Sequence, residues 1–119
     1  MAEFTVLHHT RCSTSRHALD AVTDAGVDAE VVHYLKTPLD RAQLLSLIAK
    51  LEDPPGDLVR KDAFFTEQGL SADEFTTAEQ VAGLLVQHPR LMQRPVLVHG
   101  DRAIIGRPKD RVAAFLADG

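Results

Sequence analysis

The residue of this sequence best suited to covalent chemistry is its single cysteine, Cys12. It lies in the polar segment HTRCSTSR, with Arg11 and Arg16 nearby, directly before a predicted helix. At a helix start, unpaired backbone N–H groups and the positive end of the helix dipole stabilise an anion, so they favour a thiolate over a thiol. A structural cysteine is usually surrounded by apolar residues. We therefore predict that Cys12 is a thiolate nucleophile at a helix N-terminus.

A lone cysteine also limits the reactions that this chain can complete. One cysteine cannot form a disulfide within the chain. If Cys12 takes part in redox chemistry, the resolving thiol must therefore come from another molecule.

Three arginines are candidates to hold an oxyanion beside the cysteine: Arg60, Arg94 and Arg107. Guanidinium groups match tetrahedral oxyanions and stay charged at neutral pH. Arg94 and Arg107 each precede a proline at a predicted element boundary, where binding loops collect. Taken singly, each is more often a solvated surface residue than a ligand-binding one, and spacing alone does not bring any of them to Cys12.

Other common site chemistries find little support in the sequence. None of the six histidines forms an i, i+4 pair, and no second cysteine joins them, so we predict no metal site. Cys12 and Arg16 are too close in sequence for a Cys-x5-Arg phosphate-binding loop. A glycine-rich phosphate motif is also missing from the sequence.

The first third of the chain predicts the elements that position Cys12. Phe4 to His8 is a short apolar strand, and Ala29 to His33 is a second one. A helix is predicted between them. It starts at the cap-type residues Ser13, Thr14 and Ser15 and ends at Gly26. Its apolar positions are Ala18, Leu19, Val22 and Ala25. This is a βαβ unit with parallel strands and a right-handed crossover.

The middle of the chain predicts helices. Thr37-Pro38 followed by Asp40 is a helix start with proline at the first position and an acid in the first turn. The buried stripe of this helix is Leu44, Leu47, Ile48 and Leu51. Short helices and loops are expected from Asp57 to Glu74, followed by a helix that Thr77 caps and that ends at His88-Pro89.

The last third returns to strands. Pro95 to His99 and Arg102 to Ile105 flank Gly100-Asp101, a loop typical of an antiparallel hairpin, and Lys109 to Leu116 is a helix. The element order predicts one α/β domain over 1–119. It has a thioredoxin-like βαβ…ββα arrangement, a mixed four-stranded sheet and a helical insertion at about 40–90. Because such folds place a cis-proline opposite the reactive cysteine, we predict a cis Arg94–Pro95 bond.

Composition and charge predict which partners and which location are expected for the domain. The formal charge of −4 and the pI near 5.8 disfavour a broad nucleic-acid interface, which needs clustered cations. No apolar run of about 18 residues and no secretory signal are found, so we expect a cytoplasmic protein without a membrane segment.

Several short motifs occur in order along nearly the whole chain. They are H-x3-C-x-T-S-R (His8, Cys12, Thr14, Ser15, Arg16), HYLKTP (33–38), LVRK (58–61), QHP (87–89), RP (Arg94, Pro95) and GRP (106–108). In this order and spacing, they resemble the glutaredoxin-coupled arsenate reductase family.

That resemblance implies roles for individual residues. Cys12 is the nucleophile that attacks arsenate, and the residue at the position of His8 helps to lower the pKa of the cysteine. Three arginines hold the oxyanion, here Arg60, Arg94 and Arg107. A small thiol such as glutathione then attacks the adduct, and a glutaredoxin-type reductase resolves the mixed species and releases arsenite. The family needs no bound cofactor.

The loop before the cysteine differs from the family pattern H-N-P-x-C-G-T-S-R. This chain has His9, Thr10, Arg11 and Ser13 where the family has Asn, Pro, a variable residue and Gly. Other functions therefore stay open: a thiol reductase of another substrate, an Spx-type regulator or binding module, and a domain without activity. Spx-type regulators usually switch through Cys-x-x-Cys, and Ser15 occupies the second position here.

Overall fold

A mixed four-stranded sheet forms the centre of the protein in a computed structural model, which describes residues 3–118. The strands stand in the order β2-β1-β3-β4. Strand β1 pairs in parallel with β2 and antiparallel with β3, which pairs antiparallel with β4. Their bounds are β1 (Phe4–His8), β2 (Ala29–His33), β3 (Val96–His99) and β4 (Arg102–Ile105). The predicted βαβ unit and the predicted hairpin are both confirmed.

The helices pack on both faces of this sheet. They are α1 (Ser13–Ala25), α2 (Arg41–Lys50), α3 (Ala63–Glu67), α4 (Ala78–Gln87) and α5 (Asp110–Asp118). Short 3-10 turns cover Pro55–Leu58, Ala72–Glu74 and Pro89–Leu91. The segment from α2 to the last of these turns lies between β2 and β3, and it is the predicted helical insertion. The predicted thioredoxin-like fold class is therefore confirmed.

Two apolar cores follow from the alternation of side chains along each strand. Val6, Leu97 and Ile104 pack against α1 and α5 on one face. Leu7 and Ile105 pack against the insertion on the opposite face. His8 has the same parity as Val6, and so the last side chain of β1 points to the face that carries α1.

The ends of most helices lie where the sequence predicts them. Gly26 ends α1 in the left-handed conformation, with φ of 67°. Thr77 caps α4 through a capping box with Gln80, and His88 follows its last residue. Gly100, with φ of 61°, turns the hairpin. Val112, Phe115 and Leu116 are the buried residues of α5, as predicted.

The predicted start of α2 is wrong. The helix begins at Arg41, and Asp40 is its N-cap instead of an acid in its first turn. The Asp40 carboxylate accepts the N–H of Gln43 at 2.8 Å, and the Gln43 side chain accepts the N–H of Asp40 at 2.9 Å. This capping box satisfies two unpaired donors, so the helix starts after Asp40 and leaves Pro38 outside it. Leu51 follows the helix and bridges to Ala103.

No helix within residues 3–118 is long and apolar enough to cross a membrane.

Candidate active site

Cys12 occupies the N-cap position of α1, where its backbone is extended with φ of −92° and ψ of 119°. Its carbonyl accepts the N–H of Arg16 at 3.0 Å, the first bond of the helix. The half-buried sulfur therefore lies at the end of α1 where backbone N–H groups have no helical partner. Ser13, Thr14 and Ser15 are the first three residues of the helix instead of its caps.

Arg107 contacts the sulfur directly. Its Nη2 donates to Cys12 Sγ at 3.3 Å, and its Nε donates to the carbonyl of Arg94 at 2.8 Å. The second bond holds the guanidinium plane in place. Arg107, one of the three predicted arginines, thus contacts the cysteine although it lies 95 positions further along the chain.

Arg94 is the second arginine that acts on the Cys12 thiol. Its Nη1 donates to the carbonyls of Arg90 at 2.9 Å and Met92 at 3.2 Å, while its guanidinium also interacts with the Cys12 thiol. Its Nε is buried and has no acceptor within residues 3–118. An unpaired buried donor costs free energy, and a bound anion would remove that cost.

Arg60 lies further out. Its Nε pairs with Asp62 Oδ2 at 3.1 Å, and about a third of its side chain is exposed (33%). Its charge acts on His9 and Tyr34, and it is not among the groups that shift the pKa of Cys12. The structure therefore brings Arg94 and Arg107 to the sulfur and leaves Arg60 paired, so its role in binding the oxyanion stays a prediction.

The segments that carry the two close arginines are tied together at Gly106. Its N–H donates to the carbonyl of Pro95 at 2.8 Å, and a Cβ atom on Gly106 would lie 2.8 Å from Pro95 Cγ. Only glycine fits this approach. The Arg94–Pro95 bond is cis, as predicted, and the Arg107–Pro108 bond is also cis, which the sequence did not indicate.

Arg111 and Asp53 hold the backbone around Arg107 in place, and neither was a candidate from the sequence. Arg111 Nη1 donates to the carbonyls of Arg107 at 3.3 Å and Ile105 at 3.0 Å, and to the Asp53 carboxylate at 2.9 Å. Asp53 also accepts the N–H of Ile105 at 3.1 Å. Asp53 and Arg111 are 58 positions apart, and no local pattern connects them.

Tyr34 is a third residue that the analysis of single side chains missed. It is 1% exposed, and its hydroxyl donates to the carbonyl of Met92 at 3.4 Å. Burial raises the pKa of this phenol, and Arg94 opposes that shift. Arg94 Nη1 donates to the same Met92 carbonyl, so Tyr34 lies beside Arg94. Its place in the HYLKTP motif, as the only tyrosine of the chain, was the available signal.

His8 acts on the loop before the cysteine through Ser15. Its Nδ1 lies 2.6 Å from Ser15 Oγ, which also accepts the N–H of His9 at 3.1 Å. Both His8 and Ser15 are buried. Burial, followed by the neighbouring His33, lowers the pKa of His8, so the ring is neutral at pH 7. A direct effect of His8 on the pKa of Cys12 stays a prediction.

Arg16 supports the same loop from outside. Its Nη1 donates to the carbonyl of Thr10 at 3.2 Å. The side chain thus holds the loop against the first turn of α1, and it has no contact with the sulfur among the described hydrogen bonds.

The surroundings of Cys12 favour its thiolate. Burial raises the pKa of the thiol, but the backbone N–H of Ser15, the charge of Arg107, the backbone N–H of Thr14 and the Arg94 side chain all lower it. The lowering effects are larger in sum, so the pKa lies below the ordinary value for cysteine. This agrees with the helix-terminus argument made from the sequence.

We expect this pKa to govern alkylation of Cys12. Only the thiolate reacts, so the rate should be low below the pKa and reach a plateau above it. The midpoint of a rate–pH curve with iodoacetamide should therefore lie below that of a free cysteine, near 8.5. A midpoint at or above about 8.5 would contradict the stabilisation of the thiolate by α1 and its arginines.

Removal of the Ser15 hydroxyl should destabilise the loop before Cys12. Ser15→Ala leaves the His8 Nδ1 and the His9 N–H without their partner in a buried region. We expect a loss of about 2 kcal/mol in the free energy of unfolding, measured by urea denaturation. The control is Ser13→Ala, whose side chain is exposed on the same helix turn. Equal stability of the two variants would contradict this role.

The fold and the site together define a thioredoxin-like protein whose cysteine, at a helix N-terminus, faces two arginines next to a cis-proline. Within residues 3–118, no three metal-ligating side chains lie together.

Comparison with known proteins names the family. The sequence model of the ArsC family matches residues 7–115, and the chain belongs to this family. An arsenate reductase from Escherichia coli is 35% identical over 119 residues, which cover 99% of this chain and 84% of that protein. The uncharacterized protein YfgD of Escherichia coli (strain K12) is 38% identical over 109 residues, 90% of this chain and 91% of its own.

A solved structure shows the same fold. The arsenate reductase from Vibrio cholerae superposes with a TM-score of 0.79 at 25% identity, covering 95% of this chain and 97% of its own.

Proposed function

We propose that this protein is a thiol-dependent arsenate reductase. The observation that carries the proposal is the position of the Cys12 sulfur, 3.3 Å from Nη2 of Arg107, which is itself held by the carbonyl of Arg94, a residue whose buried Nε is unpaired within residues 3–118. A tetrahedral oxyanion placed there would lie against a nucleophile and would meet donors already oriented towards it. Relatives that are named arsenate reductases support this choice of oxyanion.

The first step is attack of the Cys12 thiolate on arsenic. An S–As bond forms, an As–O bond breaks, and the oxygen leaves as water after it has gained protons. Arg94 and Arg107 hold the negative charge on the remaining oxygens. Arsenic is still pentavalent in this adduct, so its reduction requires two further electrons.

Those electrons come from thiols outside the chain. A small thiol, glutathione or an equivalent, attacks the adduct and displaces a second water. A glutaredoxin-type thiol then attacks the sulfur of that small thiol. As the disulfide between these two sulfurs forms, the bond from the small thiol to arsenic breaks and its electron pair stays on arsenic, which becomes As(III). Water then cleaves the remaining bond between arsenic and Cys12, so that arsenite leaves and the Cys12 thiol is restored. This order of steps suits a chain with one cysteine, and it suits the cytoplasmic location expected from the sequence, because small thiols are kept reduced there.

The test is direct measurement of arsenite. Purified protein is incubated with arsenate, glutathione, glutaredoxin and an NADPH-linked recycling system, and arsenite is separated from arsenate by chromatography. We expect arsenite only when protein, arsenate and thiol are all present. Other low-molecular-weight thiols replace glutathione in parallel reactions, because the thiol pool differs between organisms.

The same assay separates the alternative functions. No arsenite with any thiol would overturn the proposal. If the protein instead raises NADPH consumption with a small disulfide above the rate of the same mixture without it, the protein is a reductase of another substrate. If no thiol chemistry is found, the site belongs to a binding module or an inactive domain.

A further inference from the structure

We propose that His9 is a substrate-binding residue of this site and that it donates a hydrogen bond from Nε2 to the bound oxyanion. The inference rests on the proposed function, since it assumes that an oxyanion binds at Cys12. It adds to the arginines a neutral donor on the loop where this chain departs from its family's pattern.

The backbone of His9 is joined to the cysteine and to its helix. The carbonyl of His9 accepts the N–H of Cys12 at 3.1 Å, and the N–H of His9 donates to Ser15 Oγ at 3.1 Å. The ring stands edge-on to Tyr34, with 6.4 Å between ring centroids. Since Tyr34 and Arg94 donate to the same Met92 carbonyl, the imidazole lies at the margin of the site that Arg94 helps to form.

A backbone bond sets the tautomer of the ring. The N–H of Arg11 donates to His9 Nδ1 at 3.1 Å. Nδ1 must therefore keep its lone pair, and the proton of the neutral ring is on Nε2. Within residues 3–118, no protein group is hydrogen-bonded to Nε2, so this N–H is free to donate to a ligand.

The charges around His9 keep the ring neutral. Burial lowers its pKa and the charges of Arg94, Arg60 and Arg11 lower it further, while an interaction with the backbone of His9 itself opposes them without reversing the shift. His8 and Tyr34, the other titratable neighbours, are a neutral imidazole and a neutral phenol at pH 7. The arginines thus attract the anion, while His9 provides a directional donor without adding charge.

The test uses Cys12→Ser protein, which can bind arsenate but cannot react with it. The ring nitrogens of His9 are observed by 15N NMR during titration with arsenate. We expect an unprotonated Nδ1 and a protonated Nε2 before addition, and a shift of the Nε2–H signal that saturates with arsenate. A purely structural role for His9 would leave this signal unchanged.

Three variants in the same background measure the contribution to binding. His9→Ala removes the donor, and the Kd for arsenate should rise about tenfold, the usual cost of one hydrogen bond to a charged group. His9→Asn keeps an acceptor for the Arg11 N–H and an N–H donor, and its affinity should stay within about threefold of the parent. His17→Ala, an exposed histidine on α1, is the matched control.

The outcomes separate this inference from the proposed function. Arsenite production by the wild type without any response of His9 overturns the role of His9 alone. A saturable response of His9 without arsenite production overturns arsenate reduction alone. If there is no response of His9 to arsenate and no arsenite is produced, both proposals are overturned.

Discussion

Cys12→Ser is expected to reduce arsenite production to the rate measured without protein. A serine hydroxyl stays protonated at neutral pH and is a much weaker nucleophile than a thiolate, so the first bond to arsenic does not form. The small volume change leaves the contacts of Arg107 and Arg94 in place. We therefore expect loss of turnover with retention of arsenate binding.

The stability of this variant provides the control. Serine is a preferred N-cap residue, and Cys12 makes no side-chain capping bond. The variant should unfold at the same temperature as the wild type or at a higher one, with a gain of up to about 1 kcal/mol. Arsenite production equal to that of the wild type would show that the chemistry lies elsewhere.

Arg107→Ala is expected to have the second largest effect. The change removes the donor 3.3 Å from the sulfur, and it acts on two steps. The pKa of Cys12 should rise, because the charge of Arg107 is the second of the groups that lower it. Charge that develops on the arsenate oxygens also loses its partner, and the loss of one such donor typically costs 10²–10³-fold in rate.

Two measurements separate these effects. The alkylation midpoint of Cys12 should move to higher pH, and kcat/KM for arsenate should fall by about 10²-fold or more at a pH where the thiol is fully ionised. Arg107→Lys keeps the charge but loses the planar fork, so it should give an intermediate result. Arg41→Ala, an exposed arginine at the start of α2, is the matched control. A kcat/KM within threefold of wild type would remove Arg107 from the site.

The sequence predicted the elements because their signals are local. The alternation in β1, the Gly26 end of α1 and the Thr77 cap each depend on residues within one or two turns, and each is confirmed. The start of α2 was misplaced for a similar reason. Pro38 and Asp40 are both typical of helix starts. The hydrogen bond from the Gln43 N–H to Asp40 makes Asp40 the N-cap, so the helix begins after it.

The site was predictable in kind but not in geometry. The reactivity of Cys12 follows from one position at a strand-to-helix junction, which local sequence defines. All three arginines were candidates from their chemistry and the family resemblance, and the proline after Arg94 and Arg107 favoured these two over Arg60 without bringing them to Cys12. The separation arises because Arg60 pairs with Asp62, two residues away, while Arg107 is oriented by the carbonyl of Arg94.

Local sequence was therefore sufficient to place the single cysteine at a helix N-terminus and to predict most of the elements around it. The tertiary structure decided which groups surround the sulfur. Close packing at Gly106 and Pro95, and the bridge from Arg111 to Asp53, connect segments far apart in sequence. Such contacts depend on chain folding over long distances, and no periodicity or motif records them. The role proposed for His9 likewise depends on its neighbours in space.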